Sequence, residues 1–415
     1  MNSQNLYEQR QSFYLNPGAQ ARGGLIFCIL IGVATFFIGQ YLGLGTRTWG
    51  SFLFNLFWFF SIALGGVVFA AMQDVIGAVW GRPIMRIHEA FASFLPVAAL
   101  LFAVFFLCIG LKVGKADEVY SWIKDPSIVA HLWGKRDWLQ PGLMMGRDLF
   151  ALVVILCTAG WQMRLKLRSD MALIRGDRAQ SEKLGQDAKA KLRHWSAPVL
   201  VIYALTFSLL CFDLLMSLAP TWLSTLWAGW AFSIMMQSLM ATLLISMYLL
   251  KRTQIGQLIR RDQFHDVGKI MHGFTIFFAY LTYAHILTYW YGNVPEETEY
   301  FIHRLQAPWV YLVLGAPIFS FVLPLFTLIP KMSKWTKPIT MPIAFLILAS
   351  QWFSFLVIVQ PEVVDGKTWT FPGLEFGIFL GILGLFLMSV LRFAKRRPMV
   401  AVGDLLLHEV LNGSH

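Results

Sequence analysis

Ten long apolar runs are the feature that most restricts how this chain can fold. A helix of about 20 apolar residues crosses the hydrocarbon core of a bilayer. Because 57% of the residues are hydrophobic and only 14% are charged, a soluble domain could not hide this much apolar surface. The sequence therefore predicts an all-α integral membrane protein with ten transmembrane helices. The predicted spans are 24–44, 51–80, 84–111, 142–164, 196–218, 226–250, 268–291, 307–330, 339–360 and 372–393.

The basic residues predict how the chain is oriented. With ten spans, both tails share one side, which carries 25 of the 34 Lys and Arg residues; the other side carries 8, and Arg147 lies within a span. Cytoplasmic loops are enriched in Lys and Arg. We therefore expect a cytoplasmic N-tail (1–23), a ten-helix membrane domain (24–393) with a basic cytoplasmic loop at 165–195, and a cytoplasmic C-tail (394–415). This distribution accounts for the net charge of +11 without a nucleic-acid partner.

Two predicted outer loops are long. The loop 292–306 is acidic, and the loop 112–140 is rich in tryptophan. Tryptophan is enriched at membrane–water interfaces, so we expect three residues to anchor that loop there: Trp122, Trp133 and Trp138. Both loops are either ordinary solvated connections or docking surfaces for a partner outside the cytoplasmic membrane.

The sequence encodes no recognisable redox centre. The four cysteines all lie within apolar runs and form neither CxxC nor CxxCH, which excludes c-type haem attachment and metal knuckles of that kind. His272 and His285 share one span, as in a helix that ligates two b-type haems. No second span carries a pair of histidines, so we expect a haem-free chain without a metal site.

Ionisable residues inside the spans are costly in lipid, by about 2.5–3.5 kcal/mol or more at mid-helix, and so call for a partner or a function. The topology places one group near the cytoplasmic side and another near the outer side. The candidates for a proton path are Asp74, His88, Glu89 and His272 on the cytoplasmic side, and His285, Asp148 and Asp213 on the outer side. A quinol releases protons with its electrons and needs a base close by, so Asp148, Asp213 and His285 are also candidates for a quinone pocket. The alternative is that these residues only hold helices together.

Three further stretches resemble a known family. They are 211–225 (CFDLLMSLAPTWLST), 263–269 (QFHDVGK) and 290–298 (WYGNVPEET). Together with the ten spans they resemble the F subunit of bacterial alternative complex III, a quinol:cytochrome c (or high-potential acceptor) oxidoreductase. That subunit is similar to the NrfD-like membrane subunits of polysulfide reductases.

The resemblance implies a fold and a setting. The fold would be two four-helix bundles, spans 2–5 and 6–9, flanked by spans 1 and 10. The setting would be a complex in the bacterial inner membrane with a paralogous ten-helix subunit, an iron–sulfur subunit and c-type haem subunits, sometimes joined by a terminal oxidase. Haem and iron–sulfur centres would then lie only in partner subunits, and this chain would bind no cofactor covalently. It would contribute assembly, a lipid or quinone pocket, or proton transfer.

The chain departs from the family where Ala219 and Thr221 replace an aspartate and a histidine, which weakens the case for an outer quinol site. The motifs also have structural readings. Pro220 and Trp222 would fix an outer turn and anchor it at the interface, and Asp266 would cap the seventh helix. Two alternatives to a respiratory subunit remain: a stand-alone secondary transporter and a purely structural scaffold.

Overall fold

The computed structural model describes residues 8, 10–16, 18–132, 134–364 and 372–411. Throughout these residues the regular structure is helical. Ten helices are long and apolar enough to cross a membrane, as the sequence predicted. They are α1 (Ala19–Tyr41), α2 (Gly45–Ile76), α3 (Arg82–Gly110), α4 (Pro141–Ile174), α5 (Arg178–Leu218), α6 (Trp227–Leu250), α7 (Arg261–Gly292), α8 (Trp309–Leu328), α9 (Lys337–Val363) and α10 (Gly373–Arg396).

Helix α2 lies at the centre of the protein. Its most apolar stretch is 94% buried, and it packs against α3, α5, α6, α9 and α10. The sequence explains this position, because α2 carries phenylalanine, tryptophan, glycine and alanine on all of its faces. A helix that is apolar all round is a buried helix.

Helices α1 and α10, from opposite ends of the sequence, pack closely along glycines. A Cβ placed on Gly32 would lie 2.3 Å from the Cα of Gly381, and one on Gly377 would lie within 3 Å of the Thr35 side chain. Small residues let helix backbones approach in a membrane. Most of the remaining surface of α1 is exposed.

The predicted basic loop 165–195 is helical. It consists of the end of α4 and the start of α5, joined by a turn at 175–177 in which Gly176 has φ +92° and the Asp177 side chain accepts from the Gln180 N–H. At 1.5 Å per residue, the 34 residues of α4 extend about 51 Å, well beyond a hydrocarbon core of about 30 Å.

Helix α8 is interrupted by a π-helical turn at Ile318–Val322, between Pro317 and Pro324. Pro324 has no N–H to donate to the carbonyl of Ser320, four residues earlier. The Gln237 side chain of α6 donates to that carbonyl instead, at 2.8 Å. Gln237 also bonds Thr275 and Gln351, so α6 to α9 share a neutral polar network.

Both tails pack at the same end of the helical body. The Leu15 N–H donates to the Ala394 carbonyl, and the Met399 N–H donates to the Phe13 carbonyl. These residues share a small apolar core with Leu173 at the end of α4. We call this the tail end. The opposite end, formed by segments 111–140, 219–226 and 293–308, is the loop end.

Candidate functional site

An ion pair with a buried carboxylate joins α4 and α5 at the loop end. The Arg147 guanidinium donates through Nε and Nη2 to both carboxylate oxygens of Asp213, at 2.8 Å for Nη2–Oδ1. Asp213 also accepts from the Trp138 indole N–H at 2.8 Å. The guanidinium stacks 3.9 Å from the centre of the Trp138 ring. Both carboxylate oxygens of Asp213 therefore accept hydrogen bonds.

Asp148, the neighbour of Arg147 in sequence, has a different environment. Its side chain is buried, and neither carboxylate oxygen has a hydrogen-bond partner. It lies close enough to Asp213 for the two carboxyls to interact. Tyr120 packs nearby, and its burial together with these two carboxyls holds the pKa of the phenol well above its usual range. A buried carboxyl without a cation or donor of its own is suited to hold and pass on a proton.

A cavity of about 300 Å³ opens beside Asp148 and Asp213, between the 134–139 segment and the turn at 216–225. Its walls are mainly apolar and aromatic. Lys135 holds the two sides together by donating to the carbonyls of Pro220 and Trp222 at 2.6 and 2.8 Å. Burial of the ammonium lowers the pKa of Lys135. The stretch 211–225, which carried the first resemblance, thus forms one wall of the cavity.

The cavity is connected to two of the three predicted pocket residues, although none of the three lines it. Trp138 lines the cavity and bonds Asp213. Ser224 lines it on the other side and shares a 2.8 Å hydrogen bond with Nε2 of His285. Nδ1 of His285 bonds the Leu281 carbonyl, so Nδ1 carries a hydrogen and Nε2 faces Ser224. Asp148 and Asp213 lie together, while His285 lies beyond the opposite wall.

An aromatic stack supports the wall next to His285. Trp222 and Tyr300 are parallel, with ring centres 4.0 Å apart, and the Arg304 guanidinium lies 3.4 Å from the centre of the Tyr300 ring. Burial raises the pKa of Tyr300 to about 12, although Arg304 opposes the shift. Trp222 is 1% exposed, so it is a core residue and not the interfacial anchor that the sequence suggested.

Arg304 fixes this stack to α9. Pro361 lies inside α9 and cannot donate to the carbonyl of Val357, four residues earlier. Nε of Arg304 donates to that carbonyl at 3.1 Å, and its Nη atoms donate to the Ile358 carbonyl and to Glu362. One side chain from the loop end therefore satisfies the acceptor that Pro361 leaves open.

At the tail end, Asp74 and Glu89 belong to a buried ion cluster. Lys166 contacts both, at 2.7 and 2.8 Å. The cluster contains three cations and four carboxylates from α2, α3, α4 and the C-tail: Arg82, Arg86, Lys166, Asp74, Glu89, Asp170 and Asp404. The cluster binds four segments of chain together.

The two remaining predicted residues are less connected. His88 is fully buried beside this cluster; its Nδ1 bonds the Gly66 carbonyl at 2.9 Å, and its Nε2 has no partner. His272 is half-buried on α7, and its charged neighbour is Lys334. The structure therefore brings Asp74, Glu89 and His88 together and leaves His272 apart from them.

Sequence reasoning missed the basic half of the tail-end cluster. Lys166 and Asp170 fall in the predicted basic loop 165–195, although their spacing of four residues places them on one face of a helix. Arg82 and Arg86 have the same spacing. Asp266 does not cap α7, which begins five residues earlier at Arg261.

The tryptophans of the 112–140 loop also differ from expectation. Trp122 is 1% exposed and belongs to the core, whereas Trp138 is half exposed and bonds Asp213. Trp133 lies outside the described residues. Among the described residues, no group of three or more His, Cys, Asp or Glu side chains is placed to hold a metal ion.

The loop-end cavity has the size and character of a small-ligand pocket. Its volume is at the lower limit of typical ligand pockets, and aromatic and apolar side chains dominate its walls. Polar side chains on its walls are those of Lys135, Ser217, Ser224 and Thr225.

No protein-family model matches this chain, and a search of curated proteins found no relative.

Proposed function

We propose that this chain is a haem-free integral subunit of a bacterial respiratory quinol:cytochrome c (or high-potential acceptor) oxidoreductase complex, similar to the F subunit of alternative complex III. The observation that carries the proposal is the loop-end cavity. One wall is the stretch 211–225, and hydrogen bonds connect the cavity to a carboxylate, Asp213, and to a histidine, His285. An apolar cavity with acid–base groups on both sides suits a ligand that releases protons on oxidation.

The chemistry of a bound quinol would be the release of two electrons and two protons. Ser224 would orient the ligand by a hydrogen bond, and its partner His285 would accept a proton through that hydroxyl. Trp138 and Arg147 would hold Asp213 in place, while Asp148 would be the carboxyl that takes up a proton. Electrons would leave through partner subunits.

We propose the cytoplasmic membrane of a bacterium as the location, with both termini cytoplasmic. The tail end carries most of the Lys and Arg residues, which supports this orientation. We also retain the arrangement of two four-helix bundles, α2–α5 and α6–α9. The contacts within α6–α9 and their shared polar network support it.

The partners follow from the same proposal. They are a paralogous ten-helix subunit, an iron–sulfur subunit, c-type haem subunits and, in some complexes, a terminal oxidase, with lipids around α1 to α10. The proton path is revised to two separate groups: Asp148, Asp213 and His285 at the loop end, and Asp74, His88 and Glu89 at the tail end. His272 lies on α7 near Lys334, apart from both groups, and is the weakest of the seven proton-path candidates.

The first test is extraction of the tagged chain from its native membrane in mild detergent, followed by mass spectrometry of co-purifying proteins. Iron–sulfur and c-haem subunits together with a paralogous membrane subunit are expected. A chain that is recovered alone, with intact ten-helix folding, contradicts the complex and favours the transporter alternative.

The second test addresses the cavity. In the purified complex, His285→Gln should lower the rate of quinol oxidation about 100-fold, the lower range for loss of a general base. Thr288→Ala is the matched control, because Thr288 lies on the same helix and its hydroxyl bonds only the Ala284 carbonyl. Wild-type rates for His285→Gln in an intact complex would show that quinol is oxidised elsewhere.

A further inference from the structure

The C-terminal tail crosses the tail end as a strap, residues Met399–Leu411, and not as a free extension. Val400, Ala401 and Val402 are at most 1% exposed, although they lie outside any helix. The strap begins where the Met399 N–H bonds the Phe13 carbonyl and ends in the short helix Leu405–Leu411.

The strap contacts the ion cluster through two polar groups. The Gly403 N–H donates to Oδ1 of Asp170 at 2.8 Å, and Oδ2 of Asp404 accepts from Nη1 of Arg82 at 3.1 Å. Asp170 and Arg82 each keep a second partner within the protein body, Arg86 and Asp74. Asp170 and Arg82 would therefore each keep an ion-pair partner if the strap moved away.

A cavity of about 260 Å³ lies between the strap and the cluster. Asp74, Arg82 and Lys166 form its inner wall, and Gly403, Asp404 and Leu405 form part of its outer wall. This volume is enough for several water molecules at about 30 Å³ each, and the walls are polar enough to hold them. Removal of the strap would expose the inner wall.

Gly403 is the point where the strap comes closest to α4. A Cβ at this position would lie 2.5 Å from the carbonyl carbon of Ser169 and 2.7 Å from the Asp170 nitrogen. These are backbone atoms, which cannot move aside as the end of a flexible side chain can. A larger residue at 403 would therefore lift the strap, together with Asp404, without substituting any of the cluster residues on α2, α3 and α4.

We propose that the strap is a lid that controls access of water and small ions from the tail end to Asp74, Lys166 and Glu89. Closed, it separates these charges and the cavity beside them from the bulk aqueous phase. Open, it connects them to the aqueous phase. The polar contacts of the strap with the cluster, Gly403 to Asp170 and Asp404 to Arg82, can break while Asp170 keeps Arg86 and Arg82 keeps Asp74. This inference does not depend on quinol oxidation.

The test measures access to Ser169, which lines the cavity and is 3% exposed. The full chain carrying Ser169→Cys is treated with a membrane-impermeant maleimide in membrane fragments that are open on both faces. The parent chain gives the background from its four cysteines. Ala190→Cys, on the exposed surface of α5, gives the rate for full access.

With the native strap, Cys at 169 should react at least 10-fold more slowly than Cys at 190. Gly403→Leu should raise the rate at 169 at least 10-fold, and Val410→Ala, a strap residue outside the cavity wall, should leave it unchanged. If Gly403→Leu fails to accumulate, two variants replace it. A chain ending at Pro398 should raise the labelling rate at 169 at least 10-fold, and the milder Asp404→Asn should raise it at least 3-fold. Rapid labelling at 169 with the native strap would overturn the proposal. Protection that persists after the strap is removed would overturn it too.

Discussion

Arg304, which reaches from the loop end to the Val357 carbonyl of α9, provides a quantitative test of how this protein tolerates a proline inside a helix. Arg304→Leu would leave the Val357 carbonyl without a donor, because Pro361 supplies none. An unsatisfied buried acceptor costs about 1–3 kcal/mol. Loss of the partly exposed pair with Glu362 adds about 1 kcal/mol at most. We expect Arg304→Leu to lower the free energy of unfolding by about 3 kcal/mol.

The second substitution restores the missing donor. Pro361→Ala gives α9 an N–H that can reach the Val357 carbonyl, so Arg304→Leu should be less damaging in that background. The expected coupling between positions 304 and 361 is about 1–2 kcal/mol, the value of one buried acceptor regained.

The assay is thermal unfolding of the four purified chains in one detergent at one scan rate, because membrane proteins commonly unfold irreversibly. A loss of 3 kcal/mol corresponds to a fall of about 5 °C in apparent Tm for a large chain, and the Pro361→Ala background should recover roughly a third of it or more. Equal effects of Arg304→Leu in both backgrounds would refute the reasoning, since the arginine would then not be compensating for the proline.

Three further predictions concern packing, the loop-end carboxyls and alkaline pH. Gly381→Val should separate α1 from α10 and lower the apparent Tm by several degrees, whereas Gly273→Val, at an open position on α7, should not; equal effects would contradict the glycine contact. Asp148→Asn should melt close to the wild type, because Asp148 has no ion-pair partner among the described residues and an amide there can still face Asp213. Asp213→Asn should cost about 2 kcal/mol or more, because it weakens an ion pair whose carboxylate is fully buried; the melting curves of the two variants are compared. Tyr300→Phe should reduce the loss of stability between pH 10 and 12: the raised pKa of the phenol gives stability that is complete below pH 10 and is lost as pH rises towards about 12. A wild-type alkaline profile for Tyr300→Phe would contradict that assignment.

The ten helices could be predicted because each one is a long apolar run, and this information is local. The same local pattern predicts which groups share an end, since successive spans alternate in direction. Asp74 and Glu89 could be placed together in this way without any knowledge of packing.

The contacts of these groups could not be predicted. Lys166 falls in a predicted basic loop, because the last part of α4, after residue 164, contains no apolar run from which a helix could be predicted. Trp222 looked like an interfacial anchor, because nothing in its own segment reveals the Tyr300 ring that covers it. In both cases the decisive neighbour comes from a distant part of the sequence.

The glycine contact between α1 and α10 has a consequence for biosynthesis. About 330 residues separate the end of α1 from the start of α10. At typical translation speeds of about 5–20 residues per second, α1 is made roughly 15 seconds to a minute before its main partner. During that interval its glycine face lacks the α10 surface that covers it in the folded chain. The contact between the first and last helices can therefore form only when nearly the whole chain has been made, and a truncated or stalled chain cannot form it.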